Sequence, residues 1–100
     1  MGFGIRVTRV ARAQVEEAAR WWRSHREAAP SLLENELERA FMLLSDHPKA
    51  GSPCLDTEFQ GLRRLHLERI RFHLYYRVRP GGDVEIVAFW HTSRGSLPSL

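Results

Sequence analysis

The last forty residues constrain the fold more than any other part of the chain. The runs LRRLHL, RFHLYYRV and VEIVAFWH, at 62–67, 71–78 and 84–91, are rich in aromatic and branched side chains and largely alternate between apolar and polar. Short runs of this kind read as strands. The tetrapeptide PGGD between Arg79 and Val84 is a strong hairpin turn, and the connection from Glu68 to Arg71 is short enough for another. Three consecutive strands joined in this way form an antiparallel meander. One face of such a sheet must be covered by another layer.

The upstream half supplies the cover. Phe3 to Thr8 reads as a short strand. The segment from Arg9 to Arg26 contains neither glycine nor proline, and Val10, Val15, Ala18, Ala19 and Trp22 recur at near-helical spacing. Arg12, Glu16, Arg20 and Arg23 mark its other side, with Glu16 a helical neighbour of Arg20. Thr8 is a suitable N-cap. A second helix is expected from Ala29 to Ser45, with Pro30 in its first turn and an apolar stripe of Leu33, Leu37, Ala40, Phe41 and Leu44. The join between the two is short, so they should form an antiparallel hairpin. DHPKAGSP then breaks the helix, and Asp46 to Gln60 reads as a loop. The predicted fold is α+β: a strand, a helical hairpin and a three-stranded meander, with both helices on one face, in a single domain over residues 1–100.

Composition narrows the functional classes. There are 15 basic and 12 acidic residues, and 14 of the basic residues are arginine. No apolar run reaches the ~18 residues needed to span a bilayer. The opening MGFGIRVTRV lacks the long apolar stretch of a secretory signal. A single cysteine, Cys54, cannot form an internal disulfide, so a cytoplasmic location is expected. The charge is unevenly spread. Gly61 to Arg79 holds Arg63, Arg64, Arg69, Arg71, Arg77 and Arg79 against one acid, Glu68. That excess attracts anions, whether phosphates or an acidic partner peptide.

Strand alternation sorts these side chains by face. Phe72, Leu74, Tyr76 and Val78 should face the helices, with Leu65 and Leu67 beside them. In the last strand Val84, Ile86, Ala88 and Trp90 should join that core. The helix-free face then collects Arg64, His66, His73, Tyr75, Arg77, Phe89 and His91. Arginine pairs with phosphate and aromatics stack on bases. Histidine transfers protons near neutral pH. Metal-free RNA cleavage requires a base for the 2′-hydroxyl, a cation for the phosphorane and an acid for the leaving oxygen. Arg64, His66, His73, His91 and Arg94 are the residue types for that task. The plainer alternative is that they only solvate an open face. No pair of potential ligands has a recognised metal spacing, so neither a metal site nor a cofactor is expected. The adjacent Trp21 and Trp22 cannot both face one core, so one is expected at the rim or under a partner.

Taken together, HPKAG, GLRRLHL, RFHLYYRV and VEIVAFWHTSRG resemble the toxins of the RelE/ParE superfamily of type II toxin–antitoxin modules. The resemblance runs from Ile5 to Arg94. It is carried most specifically by Gly61 and Arg63, by Tyr75, Tyr76 and Arg77 within YYRV, and by His91 and Arg94. It implies a small growth-arresting toxin neutralised by a cognate antitoxin, which would add a strand at a sheet edge or lay a helix on apolar residues such as Trp21 and Trp22. A homodimer or a toxin–antitoxin hetero-oligomer is the implied assembly.

RelE-like members cut mRNA on the ribosome, whereas ParE-like members poison DNA gyrase. By motif position Arg64, His66, His73 and Arg94 fall where RelE-type nucleases carry their functional cations, but histidines replace two of those cations. No tyrosine follows Tyr76, and the chain continues past Arg94 only as GSLPSL, so no C-terminal helix is expected to complete a pocket. The resemblance therefore favours the ParE branch, a binding protein without enzymatic activity. A RelE-like mRNA nuclease is the alternative, and a degenerate toxin that retains only antitoxin binding is a third.

Overall fold

The computed structural model describes residues 3–94. The GSLPSL segment, and with it the expectation about a C-terminal helix, lies outside the described residues. The elements are β1 (Ile5–Val7), α1 (Arg9–His25), α2 (Leu32–Asp46), β2 (Ser52–Pro53), β3 (Arg63–Leu67), β4 (Phe72–Val78) and β5 (Val84–His91). The strands form one five-stranded sheet in the order β1-β5-β4-β3-β2. The last three make the expected antiparallel meander, and β1 lies parallel to the far side of β5. The helical hairpin covers one face. Among the described residues no helix is long and apolar enough to cross a membrane.

Helix α1 starts where its cap dictates: the Thr8 hydroxyl accepts the Ala11 amide at 3.1 Å. Its buried residues are Ala11, Ala19 and Trp22. Val10, expected in the stripe, is instead 56% exposed. The rest of the predicted stripe, Val15, Ala18, Ala19 and Trp22, does pack on the core, and Ala11 takes the place expected for Val10. Trp22 is buried and its indole N–H reaches the Ala29 carbonyl at 2.8 Å, which fixes the inter-helix link. Helix α2 begins at Leu32, later than the expected Ala29, and Ser31 is its N-cap. Residues 27–31 are turn and bend, with Ala29 and Leu32 amides bonded back to Arg26 and Ala29. Arg23 and Glu34 join the helices by an exposed ion pair at 3.0 Å. The predicted stripe of α2 is the one observed: Leu33, Leu37, Ala40 and Leu44 are buried and Phe41 packs against them. Each buried leucine of the stripe contributes on the order of 1.5–3 kcal/mol by leaving water.

Two features depart from the sequence expectation. The segment Asp46 to Gln60 is not wholly loop, because Ser52 and Pro53 pair with Arg64 and Arg63 to form β2. Gly51 makes this possible. A Cβ there would lie 2.7 Å from the Arg64 carbonyl oxygen and 2.8 Å from the Tyr76 hydroxyl, so only glycine admits the approach. The second feature is a β-bulge in β5. Tyr75 is paired with Ala88 and Tyr76 with Ile86, which leaves Val87 with no residue opposite. The extra residue reverses the alternation for the rest of the strand. Phe89 therefore lies in the main core beneath the helices, not on the open face. His91 goes with it, and its ring meets Phe72 edge-on at 5.0 Å. Ala88 and Trp90, expected in the core, take their places on the open side, where Ala88 is buried and Trp90 packs beside it. Beyond the end of β1, the Phe89 amide is satisfied by the Gln14 side chain at 2.8 Å.

Candidate functional site

The helix-free face carries two environments. At one end Arg64 and His66 of β3 stand opposite Tyr75 and His73 of β4. The His66 and His73 rings are 5.0 Å apart, and Tyr75 meets His73 edge-on at 6.0 Å. Partial burial lowers the His73 pKa below its ordinary value near 6.5, and the charges of Arg64 and His66 lower it further. Both effects favour the neutral form of the His73 imidazole.

The other end of the face is occupied by the chain itself. Leu62, Tyr75, Val87 and Ala88 form a second, smaller core, with Cys54, Phe59 and Trp90 packed against it. Gly61 takes a positive φ of 75°, which turns the segment so that Leu62 can enter this core. Burial raises the Cys54 thiol pKa, partly offset by Arg64, so the thiol stays protonated at neutral pH. Arg77 lies over Phe59 at 5.3 Å and binds Glu85 at 2.6 Å.

The arginine cluster is thus partly absorbed by the fold. Arg79 shares Glu85 with Arg77, and Arg69 pairs with Glu36 of α2 at 3.0 Å. Arg63 donates to the Gly51 and Lys49 carbonyls at 3.1 and 3.2 Å, while the Gly51 amide donates to the Tyr76 hydroxyl at 2.8 Å. Arg63 and Tyr76, register partners across β3 and β4, therefore hold the HPKAG segment onto the sheet.

The remaining candidates lie elsewhere. His91 is on the helix side, separated from His66 and His73 by the sheet. Its Nδ1 accepts the Ser93 amide at 3.0 Å, and the Ser93 hydroxyl is 2.7 Å away. Arg94 stacks on Trp90 at 4.1 Å. His91 and Arg94, with Gln14, Trp21, Phe72 and Phe89, line a cleft of about 450 Å³ between α1 and the end of β5. Of the two adjacent tryptophans, Trp22 is the buried one. Trp21 is 46% exposed, stacked on His25 at 4.4 Å with Arg26 over its ring at 5.2 Å. The cleft was not legible in the sequence, since its lining depends on the bulge that turns Phe89 and His91 towards α1. Among the described residues no three or more His, Cys, Asp or Glu side chains gather as a metal site.

Comparison with solved structures shows the same fold. The chain is similar to a chain of the chromosomal ParDE toxin–antitoxin system from P. aeruginosa (21% identity, TM-score 0.70, covering 89% of this chain and 95% of that one). It is also similar to a chain of the toxin–antitoxin complex RelBE2 from Mycobacterium tuberculosis (24%, 0.64, 91% and 99%) and of the E. coli DinJ–YafQ complex (16%, 0.62, 93% and 96%). Among curated proteins nothing matches. The model of the ParE toxin of the type II toxin–antitoxin system parDE matches residues 5–95. With nine-tenths of its length matched from β1 to beyond Arg94, this chain belongs to the ParE toxin family of type II toxin–antitoxin systems.

Proposed function

We propose that this toxin arrests growth by holding DNA gyrase in its DNA-cleavage complex, and that a cognate antitoxin neutralises it. The observation that carries the reading is the separation of His91 from His66 and His73. The set of residues expected for RNA cleavage is thus split, with His91 on the helix side and Arg64, His66 and His73 on the other. Arg77, expected on the open face, is held by Glu85 and Phe59. Membership of the ParE family supports the same target. Purified gyrase with added protein should lose supercoiling activity and accumulate cleaved DNA. Unimpaired supercoiling with no trapped cleavage product would reject the proposal.

One observation favours a second reading. Arg64, His66 and His73 do share a face, so a ribosome-dependent mRNA nuclease is the alternative. It requires cleavage of A-site mRNA that slows by about 10²–10⁴-fold in His73→Ala. For the antitoxin, the exposed Trp21 beside the cleft and the edge strand β1 are the expected contacts. Two of the similar structures are toxin–antitoxin complexes, which supports such a partner. Co-expression with the adjacent reading frame should restore growth and yield a stable complex.

A further inference from the structure

We propose that His66 and His73 form a cross-strand bis-imidazole site for a borderline divalent transition-metal ion. The two residues are register partners in β3 and β4, so both side chains leave the same face of the sheet. Their ring centroids lie 5.0 Å apart, with the planes 60° from parallel. This spacing suits chelation. A metal–nitrogen bond of about 2.1 Å, plus about 1.1 Å from the nitrogen to the ring centre, places each centroid about 3.2 Å from the ion. Two such arms with ends 5.0 Å apart meet at roughly 100°, between the tetrahedral and square cis angles.

Of the two ligands, the half-buried His73 is the better held. Its ring is oriented by Tyr75, and β4 is an interior strand, so one arm of the chelate is pre-positioned. Imidazole pairs prefer copper, nickel and zinc to magnesium or calcium, and copper(II) heads the affinity order. With two protein ligands the other coordination positions are left for solvent or an exogenous anion, and Arg64 on the same face attracts the anion. Occupancy would tie β3 to β4 and place a double positive charge on the open face. Strand alternation puts the two histidines on one face, and the register makes them direct partners.

Titration of the full chain with Cu2+, read by calorimetry and electron paramagnetic resonance, tests this. The expected result is one tight equivalent whose spectrum shows two imidazole nitrogens. His66→Ala and His73→Ala should each weaken it by roughly tenfold or more and reduce the spectrum to one imidazole nitrogen. His25→Ala and His47→Ala should leave it unchanged. His66 is exposed, so His66→Ala tests the chelate without disturbing the core. Wild-type affinity in both His66→Ala and His73→Ala, or loss of the tight equivalent in His25→Ala or His47→Ala, would overturn the assignment. None of these outcomes depends on whether the toxin acts on gyrase.

Discussion

Phe89 stacks on Phe72 with ring centroids 4.3 Å apart and planes 6° from parallel, on the helix-bearing side of the sheet. A regular β5 would put Phe89 on the opposite face. The contact exists because Val87 is the extra residue of a bulge. Phe89→Ala should therefore behave as a core truncation and cost about 3–5 kcal/mol. Urea denaturation checks this, since an open-face aromatic would cost far less.

Deletion of Val87 gives a complementary test. Removing a residue from a regular strand turns every following side chain over. Here it places Ile86 and Ala88 in succession opposite Tyr76 and Tyr75, so Phe89 keeps its face. The deletion variant should fold with the same core. It should lose only the burial of one valine in the smaller core, about 1.5–3 kcal/mol. Chemical-shift changes confined to the bulge and the 54–62 segment are the expected NMR signature.

The HPKAG segment rests on a few atoms. Gly51→Ala forces a methyl group against the Arg64 carbonyl and the Tyr76 ring and hydroxyl. It should cost on the order of 1–3 kcal/mol through overpacking. Tyr76→Phe removes the acceptor of the buried Gly51 amide and should cost about 1–3 kcal/mol. Both losses should show in thermal melts, while gyrase inhibition per folded molecule stays unchanged.

Arg71 occupies the left-handed region at φ 60°, in the turn between β3 and β4. Its amide bonds to Leu67 and its carbonyl accepts from Thr92. A non-glycine residue there carries a backbone cost of roughly 1–2 kcal/mol. Arg71→Gly should therefore raise the melting temperature, offset in part by the greater freedom of glycine in the unfolded chain.

The lowered pKa of His73 links stability to pH. In the unfolded chain the imidazole takes its proton near pH 6.5, and in the folded chain only at lower pH. Between those points the unfolded state binds more protons, so this contribution to stability falls as the pH falls. Above the unfolded pKa it is fully present. His73→Gln should flatten the stability profile in the window just below pH 6.5. Urea midpoints for both proteins across that window provide the measurement.

Local patterns in the sequence are enough to identify the elements, the turns and most of the helical stripes. PGGD, the Thr8 cap and the glycine-free run before Arg26 each act within a few residues, where propensity and hydrogen bonding are local. The candidate site was legible only in part. Arg64, His66 and His73 precede the bulge, so simple alternation places them correctly on one face. Phe89, Trp90 and His91 follow it, and alternation inverts all three. The two-residue β2 was missed because a strand that short has no period to detect.

By itself the sequence determined the α+β order of elements, the helix faces of Leu33, Leu37, Ala40 and Leu44, and the family motifs around Gly61, Tyr75 and His91. Only the tertiary structure decided that Arg63 and Tyr76 hold a loop, that Arg77 and Arg79 share Glu85, and that His66 meets His73 while His91 faces away. These outcomes depend on strand register and on contacts between residues far apart in the chain. A single unpaired residue, Val87, shifts that register without any mark in the hydrophobic pattern.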